Sequence, residues 1–170
     1  GKRGCTRCID ACPAEAIVSL GEKVQVNPYL CQGGGTCATS CPSGAMTYAY
    51  PVPGDLLYAL QRLLRDYREA GGTSPSLLFH DAASGAALED DFVATMPERI
   101  LPVAIEEIGS VGMDSWLASL AYGAEAVVLL TCDATPPQVI ETLQEQLAIA
   151  QAILAGMGYP EDRLRLVNAD

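Results

Sequence analysis

Cys5-Thr-Arg-Cys8-Ile-Asp-Ala-Cys12-Pro13 and Cys31-Gln-Gly-Gly-Gly-Thr-Cys37-Ala-Thr-Ser-Cys41-Pro42 are the two stretches that decide the fold of the first part of this chain. A shift of 29 positions places the Cys-x3-Cys-Pro end of the first stretch on that of the second. Six of the seven cysteines fall within the first 41 residues. A repeat at a fixed offset indicates one structural unit built twice, so we expect a pseudo-symmetric module here.

The cysteine spacing suits a cubane iron–sulfur cluster. Cysteines that are separated by two other residues on a tight loop reach successive corners of one cube. The cysteine before proline is expected to start a short helix that leads toward a second cube. Proline is tolerated in the first turn of a helix because its missing N–H has no partner there. Disulfides would require an oxidising compartment, which nothing in the sequence indicates. Structural zinc needs four ligands together, often with histidine, and the single histidine is His80.

Residues 1–50 resemble the bacterial two-cluster ferredoxins, on the doubled Cys-x2/3-Cys-Pro pattern. The resemblance implies an α+β ferredoxin-like dicluster domain, in which two short hairpins and two short helices surround two iron–sulfur clusters. Each cluster is then held by cysteines of both repeats. Carried over position by position, the ligands are Cys5, Cys8 and Cys41 for cluster one, and Cys12, Cys31 and Cys37 for cluster two.

Each predicted cluster is one thiolate short of the family pattern. The position three before Cys5 is Lys2, and the position three after Cys31 is Gly34. For cluster one, we expect the missing ligand upstream, in a longer polypeptide of which this chain is a piece. For cluster two, the pattern resembles the three-iron ferredoxins, and a four-iron cluster with an open corner is the alternative. We expect three irons in air-handled protein, because nothing near Gly34 in the sequence offers an oxygen or nitrogen donor of the kind that iron accepts.

The second half predicts an α/β domain over residues 55–170, after the breaker Pro51-Val-Pro-Gly54. Asp55 is a candidate cap for a helix that ends before Gly71. Continuous apolar runs that alternate with helical patterns indicate a mostly parallel sheet covered on both faces, of the flavodoxin- or Rossmann-like kind. The predicted strands are 77–79, 100–105, 126–132 and 164–167, and the later helices are 82–95, 114–122 and 137–157. No phosphate-binding glycine motif follows a strand, and Gly109-Ser-Val-Gly112 is too weak to count as one.

Residues 76–168 are similar to the delta subunit of methyl-viologen-reducing hydrogenase, an iron–sulfur protein that passes electrons onward. The similarity rests on Arg99-Ile-Leu-Pro-Val, Val111-Gly-Met-Asp, the apolar run 120–132 and Asp162-Arg-Leu-Arg-Leu166. That family uses several cysteines of this domain for a two-iron cluster. Here only Cys132 stands at a matching place. We therefore expect a shared fold without the third cluster, and Cys132 as a small buried side chain that binds no metal.

Charge and hydropathy restrict the partners. The net charge of -11 argues against nucleic acid, which needs a basic surface. Residues 1–50 are nearly neutral, with four Lys or Arg and three Asp or Glu, so the acidity belongs to the second half. No apolar run is long enough to span a membrane, and no signal peptide is recognisable, which indicates a cytoplasmic protein. His80, at the end of the first strand, and the following Asp81 are a candidate proton-handling pair, although a histidine near a strand end usually satisfies local hydrogen bonds.

The sequence therefore predicts an electron-transfer module rather than an enzyme. It would relay single electrons through two iron–sulfur clusters to redox partner proteins or to other domains of the same chain. Two alternatives remain open. One is a fragment of an oxidoreductase in which an open cluster corner or a flavin does chemistry. The other is a structural or redox-sensing cluster domain.

Overall fold

The computed structural model describes residues 4–86, 88 and 95–169. Its first part has two short helices, α1 (Arg7–Asp10) and α2 (Thr36–Thr39), and one antiparallel hairpin of β1 (Ile17–Leu20) and β2 (Lys23–Val26). The described residues contain one of the two hairpins that the ferredoxin resemblance implies. Ile17 is buried and points into the molecule, whereas Val18 and Leu20 are exposed.

The backbone confirms the 29-residue repeat. Helices α1 and α2 are displaced by that offset at both ends, but each ends two residues before its Cys-Pro pair. The prediction that a short helix starts at Cys12 and at Cys41 is therefore wrong: turns follow both Cys-Pro pairs. The loop hydrogen bonds correspond as well: the Cys12 amide donates to the Ile9 carbonyl, as the Cys41 amide does to that of Ala38, both at 3.2 Å. After each Cys-Pro the chain takes a left-handed conformation, at Glu15 (φ 51°) and again 29 residues later at Gly44 (φ 67°). The two halves therefore follow one path, although few of their side chains are the same.

The second part is an α/β arrangement around a four-stranded parallel sheet in the order β4-β3-β5-β6. The strands confirm the four predicted runs to within one residue at each end. The helix after Pro51 begins at Pro53, with Val52 as the capping residue, so Asp55 lies inside the first turn and is not the cap. In chain order the elements are α3 (Pro53–Glu69), β3 (Ser76–His80), α4 (Ala82–Gly85), β4 (Ile100–Ala104), α5 (Met113–Ala121), β5 (Ala126–Thr131), α6 (Pro137–Gly156) and β6 (Leu164–Asn168).

The predicted helix 82–95 is observed only as α4, and most of its remaining length lies outside the described residues. Helices 114–122 and 137–157 are confirmed as α5 and α6: α5 begins and ends one residue earlier than predicted, and α6 ends one residue earlier. A 3₁₀ turn, Ile108–Ser110, lies between β4 and α5. This turn faces the first part of the chain and determines where the two parts meet.

The main core lies between one sheet face and helices α3, α5 and α6. Leu77 and Phe79 of β3 point into it, together with Trp116 of α5 and Leu143 of α6. The opposite sheet face is apolar too: Leu78 and Leu130 are more than nine-tenths buried. A sheet that buries both faces carries continuous apolar strands, and this explains why the sequence showed runs rather than alternation.

Candidate iron–sulfur site

The first group of thiols comprises Cys12, Cys31 and Cys37. Burial raises the pKa of the Cys37 thiol, and the neighbouring charges of Cys12 and then Cys31 raise this pKa further. These interactions place the end of the first repeat beside the loop of the second. The Ala16 amide donates a hydrogen bond to Cys12 Sγ at 3.4 Å. An N–H donor to sulfur favours the thiolate, which is the form that binds metal.

The second group comprises Cys5, Cys8 and Cys41. Burial raises the pKa of the Cys8 thiol, and the charges of Cys41 and Cys5 add to this shift. The Met46 amide donates to Cys41 Sγ at 3.5 Å, which matches the Ala16 bond in the first repeat. This bond is the largest cause that lowers the pKa of the Cys41 thiol to about 7, followed by the contact with Ser43. Cys41 is therefore poised to be a thiolate near neutral pH.

The donor set fits an iron–sulfur cluster. Within the described ranges, no three His, Cys, Asp or Glu side chains converge closely enough to hold one metal ion. A cluster instead takes its thiolates at separate corners, and two groups of three sulfurs on short helices and loops provide such donors. When bound, a cluster supplies one-electron redox chemistry. The protein's own part is to hold the sulfurs apart and to present N–H donors to them.

A cavity of about 440 Å³ opens beside the first group of thiols. The loop 31–37 forms one wall. The other wall comes from the ends of three parallel strands, where Asp81 follows β3, Glu107 follows β4 and Thr135 follows β5. In parallel α/β sheets this carboxyl edge is the usual place for a ligand. The site predicted for cluster two therefore lies between the cysteine loop and the α/β sheet.

The two parts of the chain meet at the 3₁₀ turn with almost no space between their backbones. A Cβ atom on Gly109 would lie 2.5 Å from Thr36 Oγ1 and 2.8 Å from the Gly34 carbonyl oxygen. A Cβ on Gly35 would lie 2.5 Å from Ser110 Cβ, and Gly35 also has a φ of 73°. Real side chains tolerate neither approach. The Gly-Ser-Val-Gly motif, which carried no functional meaning in the sequence, is therefore the contact surface for the cysteine loop.

Hydrogen bonds at the same junction join residues far apart in sequence. Thr39 Oγ1 donates to the Gly109 carbonyl at 3.0 Å, across 70 residues. Gln146 of α6, which is buried, donates to Thr39 Oγ1 at 3.4 Å and accepts from the Met113 amide at 3.2 Å. Because buried polar groups are costly unless they are paired, this chain of bonds holds α2 in one orientation on the α/β domain.

We predict that Gly109→Ala destabilises the protein by roughly 1–3 kcal/mol, the usual cost of overpacking a well-packed contact. The new methyl group would meet Thr36 and the Gly34 carbonyl. The measurement is urea unfolding followed by helical circular dichroism. Gly54→Ala is the matched control, because a Cβ there meets nothing within 4 Å and alanine favours its helix. Equal unfolding midpoints for Gly109→Ala and wild type would contradict the close contact.

Sequence reasoning missed Tyr48, Asp81 and Glu107 as neighbours of the predicted cluster two. All three line the cavity beside Gly34. Tyr48 Oη donates to the Gly33 carbonyl at 2.8 Å. Asp81 and Glu107 follow adjacent parallel strands, and the rule that such strands end at one edge of the sheet was a usable signal for them.

The other singled-out residues have local roles. Cys132, at the end of β5, is buried; its amide donates to Thr135 Oγ1 at 3.1 Å. That it binds no metal stays a prediction. His80 Nδ1 lies 3.3 Å from the Asp81 carbonyl oxygen, whereas the Asp81 carboxylate contacts Ser84 and Ile108. The two side chains thus do not form a proton-handling pair. Lys2 is outside the described residues.

Comparisons with known proteins found one family model and several curated relatives. Residues 3–45 match the family model of the 4Fe-4S dicluster domain. The chain is 31% identical over 96 residues to Hydrogenase-4 component A of Escherichia coli (strain K12), covering 54% of this chain and 47% of that protein. It is 43% identical over 51 residues to the Ferredoxin-type protein NapF of the same strain, covering 27% of this chain and 31% of that protein.

The chain thus spans less than half the length of these curated relatives. The family match ends at residue 45, so the similarity of residues 76–168 to a hydrogenase delta subunit stays a prediction. The repeat, the thiol groups and the family match all indicate iron–sulfur clusters in the first part of the chain. Residues 3–45 therefore carry the pattern of a 4Fe-4S dicluster domain, and the cofactors of this chain are iron–sulfur clusters.

Proposed function

We propose that this chain is an electron-transfer module that relays single electrons through two cubane-type clusters within a larger redox protein or complex. Cluster one would be held by Cys5, Cys8 and Cys41, and cluster two by Cys12, Cys31 and Cys37. The observation that carries the proposal is the position of Cys12, which comes from the first repeat and lines one cavity with Cys31 and Cys37 of the second. The match to the dicluster family supports the same reading.

The proposed domains are residues 1–50 for the clusters and 55–170 for the α/β unit. The strand order β4-β3-β5-β6 begins as the flavodoxin-like order does, which supports that fold for the second domain. The second domain supplies the wall beside cluster two, and its acidic surface is the proposed docking element. No helix of the described residues is both long and apolar enough to cross a membrane.

The proposed partners are redox proteins or further domains of the same polypeptide. The names of the relatives, a hydrogenase component and a ferredoxin-type protein, support a place in a redox chain rather than catalysis by this module alone. We place the module in the cytoplasm, because a reducing compartment keeps cysteines available as cluster ligands.

The test is the iron and acid-labile sulfide content of anaerobically purified protein, followed by an EPR-monitored redox titration. We expect iron and sulfide in cluster proportions and two centres that are each reduced by one electron. The reduction should be reversible and should require no substrate. Zinc in place of iron, or iron without labile sulfide, would refute the proposal. A bound flavin would instead support the oxidoreductase alternative.

A further inference from the structure

Cluster two, as proposed above, has three cysteine ligands and an iron corner that faces Gly34. The following inference rests on that proposed ligation. The sequence around Gly34 offers no substitute ligand, but the fold brings oxygen atoms from the α/β domain to the same cavity. Two carboxylates are among its lining residues, Asp81 and Glu107. Carboxylate oxygen is an accepted ligand for iron.

Asp81 is fully engaged in holding the backbone. Its Oδ1 accepts from the Ser84 amide at 2.9 Å and from Ser84 Oγ at 2.8 Å. Its Oδ2 accepts from the Ile108 amide at 3.2 Å. The side chain is 7% exposed. Moving it to a metal would break three hydrogen bonds in a buried place, which is costly. Asp81 therefore positions the 3₁₀ turn that begins directly after Glu107.

Glu107 is the uncommitted carboxylate. No hydrogen bond or ion pair reaches its side chain from the described part of the chain, whereas its backbone carbonyl accepts from the Ser110 amide at 2.9 Å. Glu107 is exposed as a whole residue, and the partial desolvation of its carboxyl raises the pKa of this group. The charges of Asp81 and then Glu106 raise this pKa further. A carboxylate that lacks donors and is repelled by like charges gains from a nearby cation.

Tyr48 lines the same cavity as Glu107 and the thiols of the loop. Burial is the largest cause that raises the pKa of its phenol; the charges of Glu107, Glu106, Cys31 and Cys37 follow in that order. The phenol is thus within electrostatic reach of both the acids and the two sulfurs of the loop. The Gly109 contact brings the same turn against the Gly34 carbonyl, two residues after Glu107 along the chain.

We propose that Glu107 is the fourth ligand of cluster two, in the place that the missing cysteine at position 34 leaves open. Its carboxylate would replace a water molecule as the ligand of that iron, and the water would leave unchanged. No electron is transferred. Cluster two is then a four-iron cluster with three thiolates and one carboxylate, instead of the three-iron cluster expected from the sequence. A residue of the α/β domain thus completes the ligand set of a cluster in the first domain.

The test is resistance to oxidative loss of one iron. Ferricyanide removes one electron from a [4Fe–4S]²⁺ cluster, which releases Fe²⁺ and leaves [3Fe–4S]⁺, a species visible by EPR. Wild type, Glu107→Gln and Glu106→Gln are purified anaerobically and treated alike. Glutamine keeps the size of Glu107 but removes the anionic ligand. We expect Glu107→Gln to release iron at least about tenfold faster than wild type, since even outer-shell substitutions cost metal sites that much.

Glu106→Gln is the matched control, because it removes the same charge from the adjacent residue, which does not line the cavity. It should behave as wild type. Equal rates for all three proteins, or equal acceleration by both variants, would overturn the ligand assignment. In a Gly34→Cys background the Glu107→Gln change should have no effect, because a thiolate then occupies the corner. Failure of all these proteins to bind any cluster would instead refute the proposed function.

Discussion

The Cys12→Ala variant should lose cluster two and keep cluster one, although Cys12 lies in the same sequence motif as Cys5 and Cys8. In crossed ligation, cluster two depends on a thiolate from the first repeat. Without it, Cys31 and Cys37 would be the remaining thiolates, and two cannot retain a cubane in competition with solvent. Alanine is preferred to serine because it offers no oxygen ligand. We expect about half of the iron and labile sulfide to be lost.

Two further variants identify which cluster remains. Cys37→Ala removes a ligand of cluster two, and Cys8→Ala removes a ligand of cluster one. The EPR spectrum and reduction potential of reduced Cys12→Ala should match those of Cys37→Ala and differ from those of Cys8→Ala. The opposite match would mean that each repeat holds its own cluster. Retention of the helical circular dichroism signal shows that the α/β domain is still folded in each variant.

The sequence predicted the elements well because their signals are local. The cysteine repeat predicted two equivalent units at one offset, although it placed their helices after each Cys-Pro pair and not before it, and the four apolar runs predicted the four strands. The error at Asp55 has a local cause as well. Proline is favoured in the first helical turn, so the helix starts at Pro53, and Asp55 becomes a favourable first-turn acid instead of the cap.

The contacts across the domain junction could not be predicted in the same way. They depend on which loops of the sheet edge face the cysteine loop, and sequence spacing carries no information on this. Thr39 and Gln146 illustrate the difficulty, because their hydrogen bond joins the first cysteine module to a helix near the end of the chain. Likewise, Gly109 has no obvious role until a Cβ is placed on it.

The open corner shows how local and tertiary information combine. From the sequence, Gly34 was a missing ligand with no replacement, which favoured a three-iron cluster. The structure places the Glu107 carboxylate along the same cavity wall, without committed partners among the described residues. Whether three or four irons are present then depends on a residue of the second domain. A ligand from the cysteine loop itself would make the number of irons independent of the second domain.

Gly34→Cys should supply that ligand and give a conventional four-iron cluster two. The substitution is sterically open, because a Cβ on Gly34 meets nothing within 4 Å, and Gly34 does not have the positive φ of Gly33 and Gly35. A fourth thiolate replaces the weaker oxygen ligand and favours four irons.

We expect ferricyanide treatment that produces a three-iron EPR signal in Glu107→Gln to produce none in Gly34→Cys. Mössbauer spectra should show the unique iron site of wild type replaced by a thiolate-bound one. Gly33→Cys is the control, since its φ of 75° disfavours a side chain and its position is not the family's ligand slot. If wild type and Gly34→Cys have the same Mössbauer spectrum, a thiolate already completes cluster two, and the assigned open corner does not exist.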